Sequence, residues 1–294
     1  MLKKVLITGG SGFIGKNIQR SNFIELYDCS FPTHKELDLL DEKSVASYFK
    51  NKSFDVVIHA GCKPGHRNSK DRSNLFYANS KMFFNLEKHK DNYGKFINFG
   101  SGAIFDNSKN ITFAKEDDAL LSNPSDEHGF CKYVVQRTIS KLPNFIDLNI
   151  FGIFGEYEDY SIRFISNAIC KKIFGLPITL RQNRRFSYID VKDLIDLLPK
   201  LIEAEPRHKT YNVVGDHFYE LKVLAEFINS NFGETSGIVI RKEGFGLDYY
   251  GSNQRLQEDI GFKTTPIEDS ITRLYSFYLK NKNSINVKEL LVDK

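Results

Sequence analysis

The segment VLITGGSGFIG, residues 5–15, sets Gly9, Gly12 and Gly15 at three-residue spacing between an apolar strand-like run and the start of a helical pattern. Glycine at those places permits a tight turn, a close approach of backbone to a pyrophosphate, and tight packing of helix on strand. The opening of the helix adds unpaired N–H groups and the positive end of its dipole. Few chains that begin this way can be anything but a βα repeat.

The rest of the first half repeats that alternation. KVLIT (4–8), FIELY (23–27), FDVVIHA (54–60), KFINFG (95–100) and NFIDLNIF (144–151) read as strands. Between them, GKNIQR, EKSVASYFK, NLFYANSKMFFNLEKH and HGFCKYVVQRTISKL read as helices. The expected fold is α/β: a doubly wound parallel Rossmann sheet, with its ligand beyond the carboxyl ends of the strands. Residues 1–150 would form this dinucleotide-binding domain. Residues 151–294, more punctuated by Gly and Pro and carrying helices at 220–230 and 266–281, would form a smaller mixed lobe that binds substrate, with 186–215 returning to pack on the sheet.

Asp28, 19 residues beyond Gly9, is placed to accept hydrogen bonds from both hydroxyls of an adenosine ribose, or to serve as a turn residue. The first role favours NAD over NADP, because a carboxylate repels a 2′-phosphate. NAD or NADP is the expected cofactor, with a lean to NAD.

Composition narrows the partners. The 294 residues are 41% hydrophobic, enough for a large core, and 41 basic against 37 acidic residues leave a net charge of +4 with no block of one sign. Nucleic acid is not an expected partner. No run approaches the ~18 apolar residues of a membrane span, and MLKKVLITGG leads straight into a strand, so a cytoplasmic protein is expected. Four scattered cysteines with no C-x-x-C pair suit a reducing compartment, and neither His59 nor His66 has a second ligand at metal-binding spacing. No metal is expected.

Taken together, these motifs resemble the extended short-chain dehydrogenases that act on nucleotide sugars: epimerases, dehydratases and 4-keto-reductases. TGGSGFIG is similar to that family's dinucleotide turn, which carries Phe13 and Ile14 with the glycines. ELDLLD (36–41) looks like its adenine-contacting pair, here Asp38 and Leu39. HAGCKPG (59–65) looks like the loop that brings Ala60, Gly61 and Lys63 to the cofactor, and YANSKMFFNLE (77–87) like its Asn-bearing helix, at Asn79. In NFGSGAIFD (98–106) the resemblance makes Ser101 the hydroxyl that bonds the reacting oxygen. LNIFG (148–152) implies a substrate contact at Asn149, and RRFSYIDVKDL (184–194) implies a phosphate ligand at Arg185. The family's homodimer, through the helices near 78–89 and 128–141, is implied with them.

SDEHGFCKYVVQ (125–136) departs from the pattern. The family carries Tyr-x-x-x-Lys there; this chain has His128 and Lys132. Residues four apart on a helix share a face, so the ammonium of Lys132 is expected to push the His128 pKa below its ordinary value of about 6.5. Three readings stay open: His128 is a working acid/base; another group, Ser101 through water or a nearby tyrosine, relays the proton; or the site binds without turnover.

The family's dehydratases need an acidic pair after the serine, and here Gly102 and Ala103 stand in that stretch. The GDP-fucose synthase branch is closest in loop pattern. It moves ring protons with a cysteine and a histidine; Ala103 replaces the former, and YSIRFISN (160–167) offers none of the latter. Hydride transfer survives these losses. The implied function is therefore NAD(P)-dependent keto-reduction at C4 of a nucleotide-activated deoxysugar or heptose, in surface-polysaccharide sugar biosynthesis. A C4-epimerase, and a degenerate or sensory nucleotide-sugar binder, are the alternatives.

Overall fold

The computed structural model describes residues 1–66 and 68–291. The first half runs β1 (Lys4–Thr8), α1 (Phe13–Gln19), α2 (Phe23–Leu26), β2 (Asp28–Ser30), α3 (Glu42–Phe49), β3 (Phe54–His59), α4 (Leu75–Glu87), β4 (Tyr93–Phe99), β5 (Ile111–Ala114), α5 (Glu127–Ile139) and β6 (Phe145–Ile150). The second continues with β7 (Gly152–Phe154), α6 (Phe164–Ile173), β8 (Ile178–Asn183), β9 (Arg185–Asp190), α7 (Val191–Glu203), β10 (Thr210–Val213), β11 (Phe218–Glu220) and α8 (Leu221–Asn231). It ends with β12 (Ile238–Phe245), β13 (Tyr249–Gly251), α9 (Gln254–Ile260), α10 (Ile267–Lys280) and α11 (Val287–Leu290).

Six strands form the main sheet in the order β10-β6-β4-β3-β1-β2, every pair parallel. Successive side chains of a strand face opposite sides. Val5, Ile7, Val56, Ile58, Ile97 and Leu148 pack with Ile18 and the Leu194, Leu198 and Leu201 stripe of α7. Leu6, Val57, Phe96 and Phe145 pack on the other side with Phe49, Phe83, Leu86, Val135 and Ile139 of α3, α4 and α5. Burial on both faces is why these strands read as unbroken apolar runs.

FIELY is not a strand. Phe23 and Tyr27, one helical turn apart, are both buried with ring centroids 4.8 Å apart, while Ile24 and Leu26 face solvent at 45% and 48% exposure. An i, i+4 apolar pair favours the helix α2, and the strand that follows is the short polar DCS of β2.

A second sheet, β11-β9-β13-β5 with β7 on β9, and a two-stranded β12-β8 ribbon lie in the remainder. Their core joins α6, α8 and α10 through Ile165, Ile169, Leu224, Ile228, Ile271 and Leu274. Within 186–215 the chain divides: β9 belongs to the second sheet, α7 covers the first, and β10 closes its edge. Among the described residues no helix is long and apolar enough to cross a membrane.

Candidate active site

The main sheet's order reverses at β1, with β2 on one side and β3 on the other. A crevice opens at such a point beyond the strand tips. Gly9, there, has φ +75°, and a Cβ on it would lie 2.7 Å from Ala60 carbon and Gly61 nitrogen at the tip of β3. A Cβ on Gly15 would collide with the Gly9 carbonyl and with Gly10. Gly12 caps α1, and half-buried Phe13 and Ile14 anchor that helix to the core. The cradle is open where side chains would otherwise stand, and so fits the backbone approach of a pyrophosphate.

Second-layer groups fix the cradle. The Thr8 hydroxyl pairs with His59 Nδ1 at 2.8 Å and accepts the Gly61 N–H at 3.3 Å. Burial, with Lys132 nearby, holds His59 down at about 3, so it is a neutral hydrogen-bonding group. Leu39 is buried, its methyl 3.1 Å from the Cβ position of Gly61, and its carbonyl accepts from Asn85 at 2.8 Å. Asp38 turns its carboxylate back to the Leu40 N–H at 2.9 Å. Buried Asn79 accepts the Lys63 N–H at 2.7 Å and returns its amide N–H to the Lys63 carbonyl at 3.2 Å, clamping the loop after β3. The Lys63 ammonium is tied to Asp71 at 2.5 Å and to the Ser73 carbonyl at 2.8 Å. Thr8, His59 and Asn85 lie within the segments quoted for the resemblance, but nothing in those segments marks them as the groups that hold the cradle.

Asp28 lies at the wrong end. It pairs with Lys4, and Ser30 pairs with Leu6. At about 3.3 Å per residue this leaves Asp28 roughly 16 Å short of the glycine turn. The misread strand displaced it: the residue closing β2 on the crevice side is Ser30.

Ser101, His128 and Lys132 meet beyond the tip of β4. Ser101 follows that strand and accepts the Ala103 N–H at 3.2 Å. Asp126 caps α5 by accepting the Gly129 N–H at 2.9 Å, and a Cβ on Gly129 would lie 2.7 Å from the Ala103 carbonyl, so the helix starts directly against the Ser101 turn. One turn further in, the Lys132 ammonium donates to the Phe99 carbonyl at 2.8 Å. His128 is pushed down to about 4, by burial first, then Lys132, with Arg163 adding to both and Asp126 opposing. Its Nδ1 has no hydrogen-bond partner among the described residues. The imidazole is therefore neutral at pH 7, about one in a thousand being charged.

Two expected substrate contacts move. Asn149 is fully buried: its carbonyl accepts from Gln136 at 2.9 Å, and its amide donates to Asn212 at 3.1 Å. The side chain is committed inside the sheet. Arg185 is exposed and paired with Asp248 at 3.5 Å. Its neighbour Arg184 points the other way, as adjacent residues of an extended chain do. It lies over the Phe186 ring at 4.9 Å, beside Tyr188 and Tyr249, with its Nε buried and lacking a partner among the described residues.

Residues 5–214 match the model of the NAD dependent epimerase/dehydratase family. GDP-L-colitose synthase of Yersinia pseudotuberculosis is 26% identical over 187 residues, covering 58% of this chain and 60% of that protein. GDP-L-fucose synthase of Azorhizobium caulinodans is 28% identical over 187 residues, 58% and 59% of the two chains. The chain thus spans about 60% of the length of these curated relatives. Among solved structures, a GDP-mannoheptose C4 reductase of Campylobacter jejuni with NADP bound superposes with a TM-score of 0.78 at 19% identity, covering 94% of this chain and 98% of that one. UDP-glucose 4-epimerase of Thermotoga maritima gives 0.79 at 14%, covering 95% and 99%.

Proposed function

As the chain belongs to the NAD-dependent epimerase/dehydratase family, we propose that it reduces the C4 ketone of a nucleotide-activated deoxysugar or heptose, using NADP(H). The observation that carries this reading is the meeting of Ser101, His128 and Lys132 beside the glycine cradle. A bound nicotinamide would supply the hydride. The cradle of Gly9, Gly12 and Gly15, with Ala60, Gly61 and Leu39, would hold its pyrophosphate and adenosine side.

This chain's own residues do the rest. Ser101 donates a hydrogen bond to the sugar oxygen, Lys132 keeps the field positive, and the minor imidazolium form of His128 gives that oxygen its proton, returning to neutral imidazole. Arg184 replaces Arg185 as the ligand of the nucleotide's phosphates, because its unpartnered Nε faces the aromatic side of the site. The lobe at 151–294, without α7 and β10, supplies the sugar side. NADP is favoured because a neutral Ser30, and no carboxylate, closes β2. A cavity of about 710 Å3 there is lined by Ser30, Phe31, Lys35, Glu36, Ser44 and Lys52, with the Glu36 carboxylate accepting from the Thr33 N–H and hydroxyl. The solved neighbours that carry NADPH or NADP support the same choice.

Purified protein given NADPH and a panel of GDP- and dTDP-4-keto-sugars should consume cofactor in proportion to sugar. Sugar interconversion without net NADPH loss would make it an epimerase, and tight cofactor binding with no turnover on any sugar would overturn the reductase reading. A homodimer through α4 and α5 is part of the proposal, since Tyr77 is 61% and Phe130 39% exposed on those helices. Light scattering should give twice the 33.8 kDa of one chain, and the single mass would refute it.

A further inference from the structure

One carboxylate inside the main sheet is shared by the serine turn and the helix that faces it. Asp147, on β6, is 1% exposed. Its Oδ1 accepts an N–H of Asn98 on β4 at 2.6 Å and lies 2.7 Å from where a Cβ on Gly100 would stand. Any side chain at position 100, next to Ser101, would meet that carboxylate. Its Oδ2 accepts from Gln136 of α5 at 3.3 Å, and the same Gln136 nitrogen donates to Asn149 at 2.9 Å. Gln136 is itself buried, four residues beyond Lys132 and eight beyond His128, so the three share a helical face.

Apolar packing alone leaves the seating of α5 loose. Cys131, Val135 and Ile139 bury a stripe of the helix in the core, a non-directional contact that holds it down without fixing its rotation or height. Hydrogen bonds are directional, and a buried donor without its acceptor is penalised. We propose that Gln136 is a positioning residue for the reduction: by bonding Asp147 and Asn149 at once it sets the rotation and height of α5, and so where His128 and Lys132 stand over the Ser101 turn. The serine turn takes its own position from the same carboxylate, through Gly100, so both halves of the site share one reference. Lys132 adds a tie to the Phe99 carbonyl, but its ammonium also serves the cofactor. Gln136 touches no substrate and acts through the helix. The kinetic part of the inference rests on the reductase reading.

Gln136→Met keeps an unbranched side chain of similar length and removes the donor. It should lower kcat about 10- to 100-fold with the sugar KM changed less than about threefold and NADPH still bound one per chain, the scale expected of a misplaced proton donor. Gln136→Glu adds a readout that general destabilisation would not move. Near about pH 5.5 the two facing carboxyls share one proton and keep the bond, whereas above about pH 7.5 both ionise and repel. The kcat of this variant relative to the native protein should therefore fall at least about tenfold between those values. A ratio level with pH, or an unchanged kcat in Gln136→Met, overturns the inference. A second measurement needs no turnover. Burial pushes the Asp147 carboxyl up to about 6, against Asn98, Lys132 and Gln136, which favour its ionised form. With aspartate labelled at the carboxyl carbon, the 13C signal that Asp147→Asn removes should titrate at higher pH in Gln136→Met, because one of those bonds is gone. An unmoved titration refutes the contact even if the protein reduces keto-sugars. A moved titration with no turnover on any sugar would instead sink the kinetic role together with the reductase reading and leave the contact standing.

Discussion

His128 has cations on two sides, Lys132 one turn along α5 and Arg163 at the start of α6, with Asp126 as its nearby carboxylate. With a pKa of about 4, its acid form falls tenfold for each pH unit above that value. The kcat/KM for keto-sugar reduction is expected to decline with a slope near −1 from about pH 5 to pH 8, while oxidation of the corresponding alcohol, which needs the neutral base, stays level there. A flat reductive profile would rule out His128 as the donor. His128→Tyr should raise the reductive rate at pH 8 at least about tenfold, the phenol being held acidic by Lys132. His128→Ala should leave a few per cent at most. These residues were legible because they sit in a motif of fixed spacing. The depth of burial that dominates the histidine's shift was not, since it depends on which elements close over α5.

At the scale of elements, the long apolar strands announced themselves and the short polar one did not. β2 is three residues, DCS, with no apolar alternation, so the richer FIELY beside it took its place and carried Asp28 to the wrong end. Arg185 came from a motif, which does not show that its side chain pairs with Asp248 while that of Arg184 lies over the Phe186 ring. Asn149 belonged to a recognisable motif, yet the sequence does not show that Asn212 of β10 would lie opposite it. The tip of β2 allows a direct test of cofactor choice. Ser30→Asp should weaken NADPH binding about 10- to 100-fold in a fluorescence titration and leave NADH equal or tighter, a carboxylate there repelling the 2′-phosphate. Equal weakening of both would show that Ser30 does not meet the ribose.

For the whole molecule, four buried titrating groups set opposing limits on stability. His59 and His128 are held at about 3 and about 4, below the 6.5 of an unfolded histidine. Between 6.5 and those values the unfolded chain binds more protons, so stability falls as pH drops. Glu158 and Asp147 are pushed up by burial, to about 8 and about 6. Their contribution is present below the ordinary carboxylate range and is lost as pH rises through the folded values. The melting temperature should therefore peak near pH 5 to 6.5 and fall on both sides. Glu158→Gln, which keeps a partner for the Ser166 hydroxyl, should raise the melting temperature at pH 8.5 by several degrees and change it little at pH 5. A parallel drop at both would show that the glutamate is ionised in the fold.

Beneath α5, hydrogen bonds run from Asn98 through Asp147, Gln136 and Asn149 to Asn212, and on to Glu116. Apolar neighbours would tolerate β10 sliding by a residue along β6. This thread would not, because a slip carries Asn212 to the other face and leaves Asn149 unanswered, in grease too dry for water to substitute. The closing strand is thus keyed like a lock tumbler, and an isosteric leucine pair at 149 and 212 would give a sheet that still condenses but forgets where its last strand belongs.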